Sequence, residues 1–286
     1  MARIRLIVNP ASGSHDADMP ARLAEVAAQA GAAFAGVTAL PDDPLPTPAS
    51  LDAERVDILA IHAGDGTINA AMQAVAGWGG AILALPGGTM NLLARHIHES
   101  RDPVEIFAAA MAPDAEARPV TMVEGVDADC AISGLVGVFA GPTTAWGDVR
   151  ETLRRYDFAG LVEAVPRAIG QTFDGAPVRL SGHDEDYPAI YIEPVDGTLR
   201  LLGFLADDAA ALFEHGFAWL GGDFRDGPHE ELGTLGEVTI ESASAEIGLL
   251  VDGERGHSHS PLRLRAVPSP VAFLITRSRA DRLDAA

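Results

Sequence analysis

The chain contains no lysine: all 20 of its basic residues are arginine. That absence excludes several mechanisms. A Walker-A loop sets a lysine on the β- and γ-phosphates, a protein kinase uses a strand lysine in the same role, and Schiff-base or pyridoxal chemistry runs through a lysine amine. Phosphate chemistry here must rely on backbone N–H groups, hydroxyls, arginine or a metal ion. Cysteine is nearly missing too. Cys130 stands alone, so no internal disulfide can form, which points to a reducing cytoplasm. It has no motif around it and reads as a buried position. No apolar run reaches the roughly eighteen residues of a membrane span. The opening MARIRLIVNP lacks the long apolar core and cleavage site of a signal peptide and reads as a first strand. Positive charge is scarce as well. A net charge of −21 argues against nucleic acid as a partner and against docking on anionic lipid by charge alone. G-x-S-x-G, H-E-x-x-H and G-x-G-x-x-G are all missing, so hydrolase and ordinary dehydrogenase readings have no handle.

What is present fits two modest domains: 286 residues, 48% of them apolar. Strand and helix patterns alternate in the first third. Strands are expected at Arg3–Val8, Ala33–Ala39, Val56–His62 and Ala81–Leu85. Helices are expected at Asp18–Ala30, Thr67–Ala76, Asn91–His98 and Asp102–Ala112, with proline-rich Pro41–Ser50 as an irregular loop. This alternation predicts a doubly wound, mostly parallel sheet over residues 1–119. After Pro119 strands follow in close succession: Val120–Val126, Asp129–Val138, Pro177–Leu180, Ala189–Pro194, Thr198–Leu205, Val238–Glu241, Glu246–Val251, Leu262–Ala266 and Ala272–Thr276. Helical stretches at Val149–Ile169 and Asp207–Trp219 interrupt them. Residues 120–262 therefore read as a mostly antiparallel β-rich domain.

Three turns in the first unit share one form, an apolar strand, small residues, then a helix. They are Asn9-Pro10-Ala11-Ser12-Gly13, Gly64-Asp65-Gly66-Thr67 and Pro86-Gly87-Gly88-Thr89-Met90-Asn91. In a doubly wound sheet such turns lie at the carboxyl edge, where ligands bind. Glycine lets the backbone approach an anion, and the following helix offers N–H groups and the positive end of its dipole. Ser12, Thr67 and Thr89 add hydroxyls. Asp65 in such a loop would repel phosphate unless Mg²⁺ lay between them; the plain alternative is a helix cap. Val251-Asp252-Gly253-Glu254 ends a strand in a turn with two carboxylates, where Glu254 could accept a proton from an attacking hydroxyl or the turn be an ordinary solvated one, while Asp196-Gly197 marks a hairpin. Arg150, Arg154 and Arg155 read as a solvated helix face, and His257 and His259 as an exposed pair.

The order N-P-x-S-G, G-D-G-T, P-x-G-T-x-N followed by Ala94-Arg95, and a late D-G-E resembles the diacylglycerol kinase catalytic-domain family, which includes bacterial lipid kinases and sphingosine kinases and is related to NAD kinase. The resemblance implies two domains with ATP in the cleft between them, and a C-terminal segment, about 263–286, returning to the first domain. It implies that Asn9, Pro10, Ala11, Ser12, Gly13, Thr38, Gly64, Asp65, Gly66, Thr67, Ile68, Asn69, Gly88, Thr89 and Asn91 surround the nucleotide. Asp65 would act through Mg²⁺ and Glu254 as the base for a lipid hydroxyl. Asp196, with backbone oxygens of Glu193 and Thr198, would hold a structural Mg²⁺. The expected protein is a cytoplasmic ATP- and Mg²⁺-dependent lipid kinase, working peripherally at the inner face of a membrane. Its assembly state stays open, a homodimer included. An NAD kinase-like activity and an inactive nucleotide- or lipid-binding homologue remain the alternatives. The chain departs from the family pattern in three places. Ala63 replaces a glycine, Leu92 stands where an aspartate is usual, and Ala131-Ile132-Ser133-Gly134 replaces an Asn-rich turn.

Overall fold

The computed structural model describes residues 1–10, 16–88, 91–112, 115–127, 132–142, 152, 164, 167–168, 175–205 and 229–276. It divides into two units, Met1–Val120 with the chain from Ser269 onward, and Thr121–Pro268.

In the first unit β1 (Arg3–Val8), α1 (Met19–Gln29), β2 (Ala33–Ala39), α2 (Pro48–Ala53), β3 (Ile58–Ala63), α3 (Asp65–Ala74), β4 (Ala81–Pro86), α4 (Leu92–Ile97), α5 (Pro103–Ala110) and β5 (Glu116–Arg118) follow in sequence. The second unit runs β6 (Thr121–Gly125), β7 (Ser133–Gly134), β8 (Val138–Ala140), β9 (Val178–Leu180), β10 (Ile190–Val195), β11 (Thr198–Phe204), β12 (His229–Leu235), β13 (Glu237–Ser242), β14 (Glu246–Val251), β15 (Glu254–His259) and β16 (Leu262–Pro268). Then β17 (Ala272–Ile275) returns to the first unit.

The first sheet has the order β2-β1-β3-β4-β17-β5. All pairs are parallel except β17 with β5. The near-continuous apolar runs of β3 and β4 are what a strand covered on both faces requires. Met19, Leu23 and Ala27 lie four residues apart on one face of α1 and join the core with Ile4, Leu6, Ile106 and Phe107. The chain steps from β1 outward to β2 and then back across β1 to β3, so the topological switch point lies between β1 and β3.

His98 caps the C-terminal end of α4 and is 1% exposed. Its Nε2–H donates to the carbonyl of Ala84 at 2.9 Å, which leaves Nδ1 to accept from the Thr276 hydroxyl at 3.0 Å. Desolvation pushes its pKa down to about 4 from the usual 6.5. The folded chain thus resists a proton that the unfolded chain accepts below pH 6.5. The stability held in this neutral ring is complete above that pH and disappears as pH falls toward 4, by about 3 kcal/mol in all. Denaturant titrations between pH 7 and 4 should show this slope in the wild type and a shallower one in His98→Gln.

The second unit packs two antiparallel sheets, β12-β11-β10-β8-β14-β15 and β7-β6-β16-β13-β9, over one core. Inward residues alternate along each strand: Leu262 and Leu264 on β16, Ile190 and Ile192 on β10, Ile247 and Leu249 on β14. The exposed partners on β16, Arg263 and Arg265, pair with Glu237 and Glu124 on neighbouring strands, which adds little stability at a solvated surface.

The structure differs from the sequence reading at several points. Pro41–Ser50 is not wholly irregular. Thr47 caps α2 in a reciprocal bond with Ser50, and Pro48 takes the first helical position, where its missing N–H costs nothing. The expected strand Asp129–Val138 is broken between β7 and β8, because the N–H groups of Leu135 and Val136 are turned to a side-chain acceptor instead of a strand. The return to the first unit starts at Ser269 and not near residue 263, since β16 is paired on both sides in the second unit. Three strands, β5, β12 and β15, went unread; they are outer strands of their sheets and too polar or too short to show apolar alternation. The helical stretches Val149–Ile169 and Asp207–Trp219 fall outside the described residues apart from isolated positions.

Candidate active site

The parallel registers Val8↔His62 and Ala63↔Pro86 bring the ends of β1, β3 and β4 level, side by side. The three turns read from the sequence therefore open along one stretch of sheet edge. Ala11, Ser12, Gly13 and Thr89 lie outside the described residues, and the rest can be placed. Asn9 leaves β1 and donates from Nδ2 to the Thr67 hydroxyl at 3.1 Å, bridging the switch point between β1 and β3. Gly64 caps α3 in an extended conformation, and its carbonyl accepts from Thr67 and Ile68. Thr38 is 4% exposed on β2, paired with Ile7. Pro10 is exposed, and Asn69, at partial exposure, lies on α3.

The third turn rests directly on the second. A Cβ on Gly88 would lie 2.5 Å from the Cα of Gly64, and one on Gly87 would lie 2.6 Å from the nitrogen of Ala63. Only glycine permits backbones to come so close. Asn91, in the left-handed region at φ 52°, folds back over this turn. Its Oδ1 accepts from the N–H of Gly87 and Gly88 at 3.1 and 2.7 Å, and its Nδ2 donates to the carbonyl of Gly88. Gly87 was missed as a site residue, although the G-G pair was a visible signal. Ala63, in place of the usual glycine, is a buried strand residue without positive φ, so its methyl group brings no backbone strain.

Asp65 is 2% exposed and occupies the first turn of α3. Its carboxylate reaches across to α4, where Oδ2 accepts from Leu92 N–H at 3.0 Å and Oδ1 from Leu93 N–H at 3.1 Å. The acid thus holds the start of α4 against the turn before α3. Asp65→Ala leaves two N–H groups without that acceptor. A loss of about 1–3 kcal/mol is expected, read as a lower melting temperature without nucleotide; an unchanged melting point would contradict the assignment of these bonds.

Among the described residues no three of His, Cys, Asp and Glu gather as a metal-binding group. Mg²⁺ is often held by one or two carboxylates with substrate phosphates and water. One carboxylate, Asp65, is what this edge provides, since the Leu92 side chain has no oxygen. The donor set fits a metal carried in on nucleotide phosphates and not one caged by protein alone.

Residues 3–124 match the family model described as "Diacylglycerol kinase catalytic domain". That segment, less than half of the chain, is similar to the diacylglycerol kinase catalytic-domain family. The family's matched residues take in Asn9, the Gly64–Thr67 turn and the Gly87–Asn91 turn, all on the one sheet edge. A solved diacylglycerol kinase from Bacillus anthracis str. Sterne aligns over 97% of this chain and 97% of its own, at 16% identity and a TM-score of 0.62. A candidate diacylglycerol kinase from the same strain aligns over 97% and 96%, also at 16% identity and a TM-score of 0.62. A further structure of such a kinase covers 96% and 97% at a TM-score of 0.61. At that identity the likeness shows a common fold. No curated protein sequence matches the chain. The match supports a kinase-like function.

Two motif aspartates of the second unit occupy the same kind of turn. Asp196-Gly197 and Asp252-Gly253 each join paired strands by two residues with positive φ, at 42° and 85° and at 49° and 79°. Asn-Gly and Asp-Gly are the preferred pairs for such turns. Asp196 is exposed at its apex, where Gly197 N–H donates to the Thr121 hydroxyl and the Thr198 hydroxyl donates to the Val195 carbonyl. Glu193 is 6% exposed on β10. Asp252 is 4% exposed, whereas Glu254 opens β15 with its side chain exposed.

Proposed function

We propose that the chain is an ATP- and Mg²⁺-dependent lipid kinase, transferring the γ-phosphate to a hydroxyl of diacylglycerol or a related lipid such as a sphingoid base. The observation that carries this reading is the Asn9–Thr67 bond across the switch point, with the glycine turns of β3 and β4 stacked beside it. Open α/β sheets bind their ligands at that location. In the proposed reaction ATP phosphates lie against Asn9, Gly64–Asn69, Gly88 and Asn91, with Ala11–Gly13 and Thr89 completing the loops and Thr38 toward the nucleoside. Asp65 would be the protein carboxylate for a Mg²⁺ ion brought in with the nucleotide, and that ion would supply charge neutralisation. Glu254 takes the proton of the lipid hydroxyl as its oxygen bonds to the γ-phosphorus and the bond to ADP breaks. Catalysis of this kind is positioning and electrostatics. A structural Mg²⁺ at Asp196, with backbone oxygens of Glu193 and Thr198, belongs to the same reading.

The acceptor implies transient work at a membrane surface; no described helix is long and apolar enough to cross one. Transfer of labelled γ-phosphate from ATP to diacylglycerol, sphingosine and NAD, compared side by side, tests the proposal. Label in a lipid product supports it. Label in NAD alone would place the chain with NAD kinases, and tight ATP binding without transfer would make it a binding protein.

A further inference from the structure

We propose that Asp252 and Tyr191 are positioning residues for Glu254, locking the segment Leu135–Gly137 against the Asp252-Gly253 turn; this rests on the kinase reading above. Glu254 stands two residues after Asp252, and its backbone is set by a turn that must hold φ at 49° and 79°. A two-residue hairpin loop alone is a weak anchor for an exposed carboxylate. Here the turn is held from the side. The Oδ1 of buried Asp252 accepts from the N–H groups of Leu135 and Val136, both at 2.9 Å, and its own N–H donates to the Gly137 carbonyl at 3.1 Å.

The segment so gripped is held from the opposite direction by Tyr191 on β10. Its hydroxyl donates to the Val136 carbonyl at 2.6 Å. Its ring lies so close to Gly137, at φ 150°, that a Cβ there would come within 2.5 Å of the ring and hydroxyl. The ring also packs on Phe139 with centroids 4.3 Å apart. Three elements, β10, β14 and the connection into β8, thus meet at one point. All of it lies within the second unit. The interruption of the strand expected across Asp129–Val138 is the cost of this arrangement, because donors that would pair with a neighbouring strand serve the Asp252 carboxylate.

The test separates bracing from charge. Asp252→Gly deletes the carboxylate yet tolerates positive φ; Asp252→Asn keeps an acceptor oxygen without the charge; Tyr191→Phe removes one hydroxyl. In the nucleotide-free chain, Asp252→Gly should speed amide exchange at Leu135 and Val136 by ~10-fold or more and shift the backbone resonances of Gly253 and Glu254. With the best acceptor, kcat should fall by ~10–10²-fold at unchanged KM for ATP, the size expected when a catalytic group is misplaced by about 1 Å. Asp252→Asn should restore both readouts in large part, and Tyr191→Phe should show the same pattern more weakly. Faster exchange with unchanged kcat would overturn the proposal, as would an Asn variant as impaired as Gly. If the wild type transfers phosphate to no acceptor, the kinase reading has failed by itself. The resonances then decide the brace, and unmoved Glu254 signals in Asp252→Gly would refute it.

Discussion

Replacing Glu254 with glutamine is expected to lower turnover with the best acceptor by about 10²–10⁴-fold, the usual contribution of a positioned general base. The side chain is exposed at the first residue of β15 and fills no core position, so the substitution has no packing cost to confuse the result. Glutamine keeps the shape and removes the basic oxygen. Loss should therefore appear in kcat, with KM for ATP and melting temperature unchanged. This pattern marks an interaction made in the transition state alone. Turnover within a few-fold of the wild type would remove Glu254 from the mechanism.

Gly88→Ala should weaken ATP binding by about 10–10²-fold, the equivalent of about 1–3 kcal/mol of distortion at about 1.4 kcal/mol per tenfold. The added methyl group would meet the Cα of Gly64 at 2.5 Å and its nitrogen at 3.1 Å, and backbone atoms cannot rotate aside as a side chain can. Either turn must give way, at about 1–3 kcal/mol of stability. Gly64→Ala is the informative contrast. Among the described residues its Cβ would find only the Cα of Gly88 at 3.6 Å, and its φ of −80° suits alanine. The chain should melt as before, so any loss of ATP affinity in that variant reports where the phosphates come close. Calorimetric titration of the two variants beside melting curves checks both statements; unchanged ATP affinity in Gly88→Ala would contradict the first.

The first unit was legible because its signals were local. Arg3–Val8 and Ala33–Ala39 were read to the residue, since apolar runs ended by turn residues define buried strands. The turns after β1, β3 and β4 were legible for the same reason: small residues and glycine after an apolar strand mark a strand-to-helix turn. What those residues bond to was not legible. Asp65 reaches α4 across 27 positions of chain, and Asp252 reaches Leu135 across 117, and no spacing rule encodes such pairings. The sequence alone suggested either a metal carboxylate or a cap of its own helix for Asp65; it carried no sign that both oxygens also hold the start of a different helix. β12 and β15 were hidden because a strand at a sheet edge can be polar along its length. His98 gave no warning at all, because a histidine satisfied by a carbonyl and a hydroxyl looks in sequence like any other.

The most direct measurement is residue-resolved amide mapping during titration with Mg-ATP. Resonance changes should concentrate at Asn9, Gly64–Asn69 and Gly87–Leu93, the neighbouring turns at the ends of β1, β3 and β4. Saturable binding whose changes lay on other elements, or no binding at millimolar ATP, would contradict the assignment of this edge as the phosphate cradle.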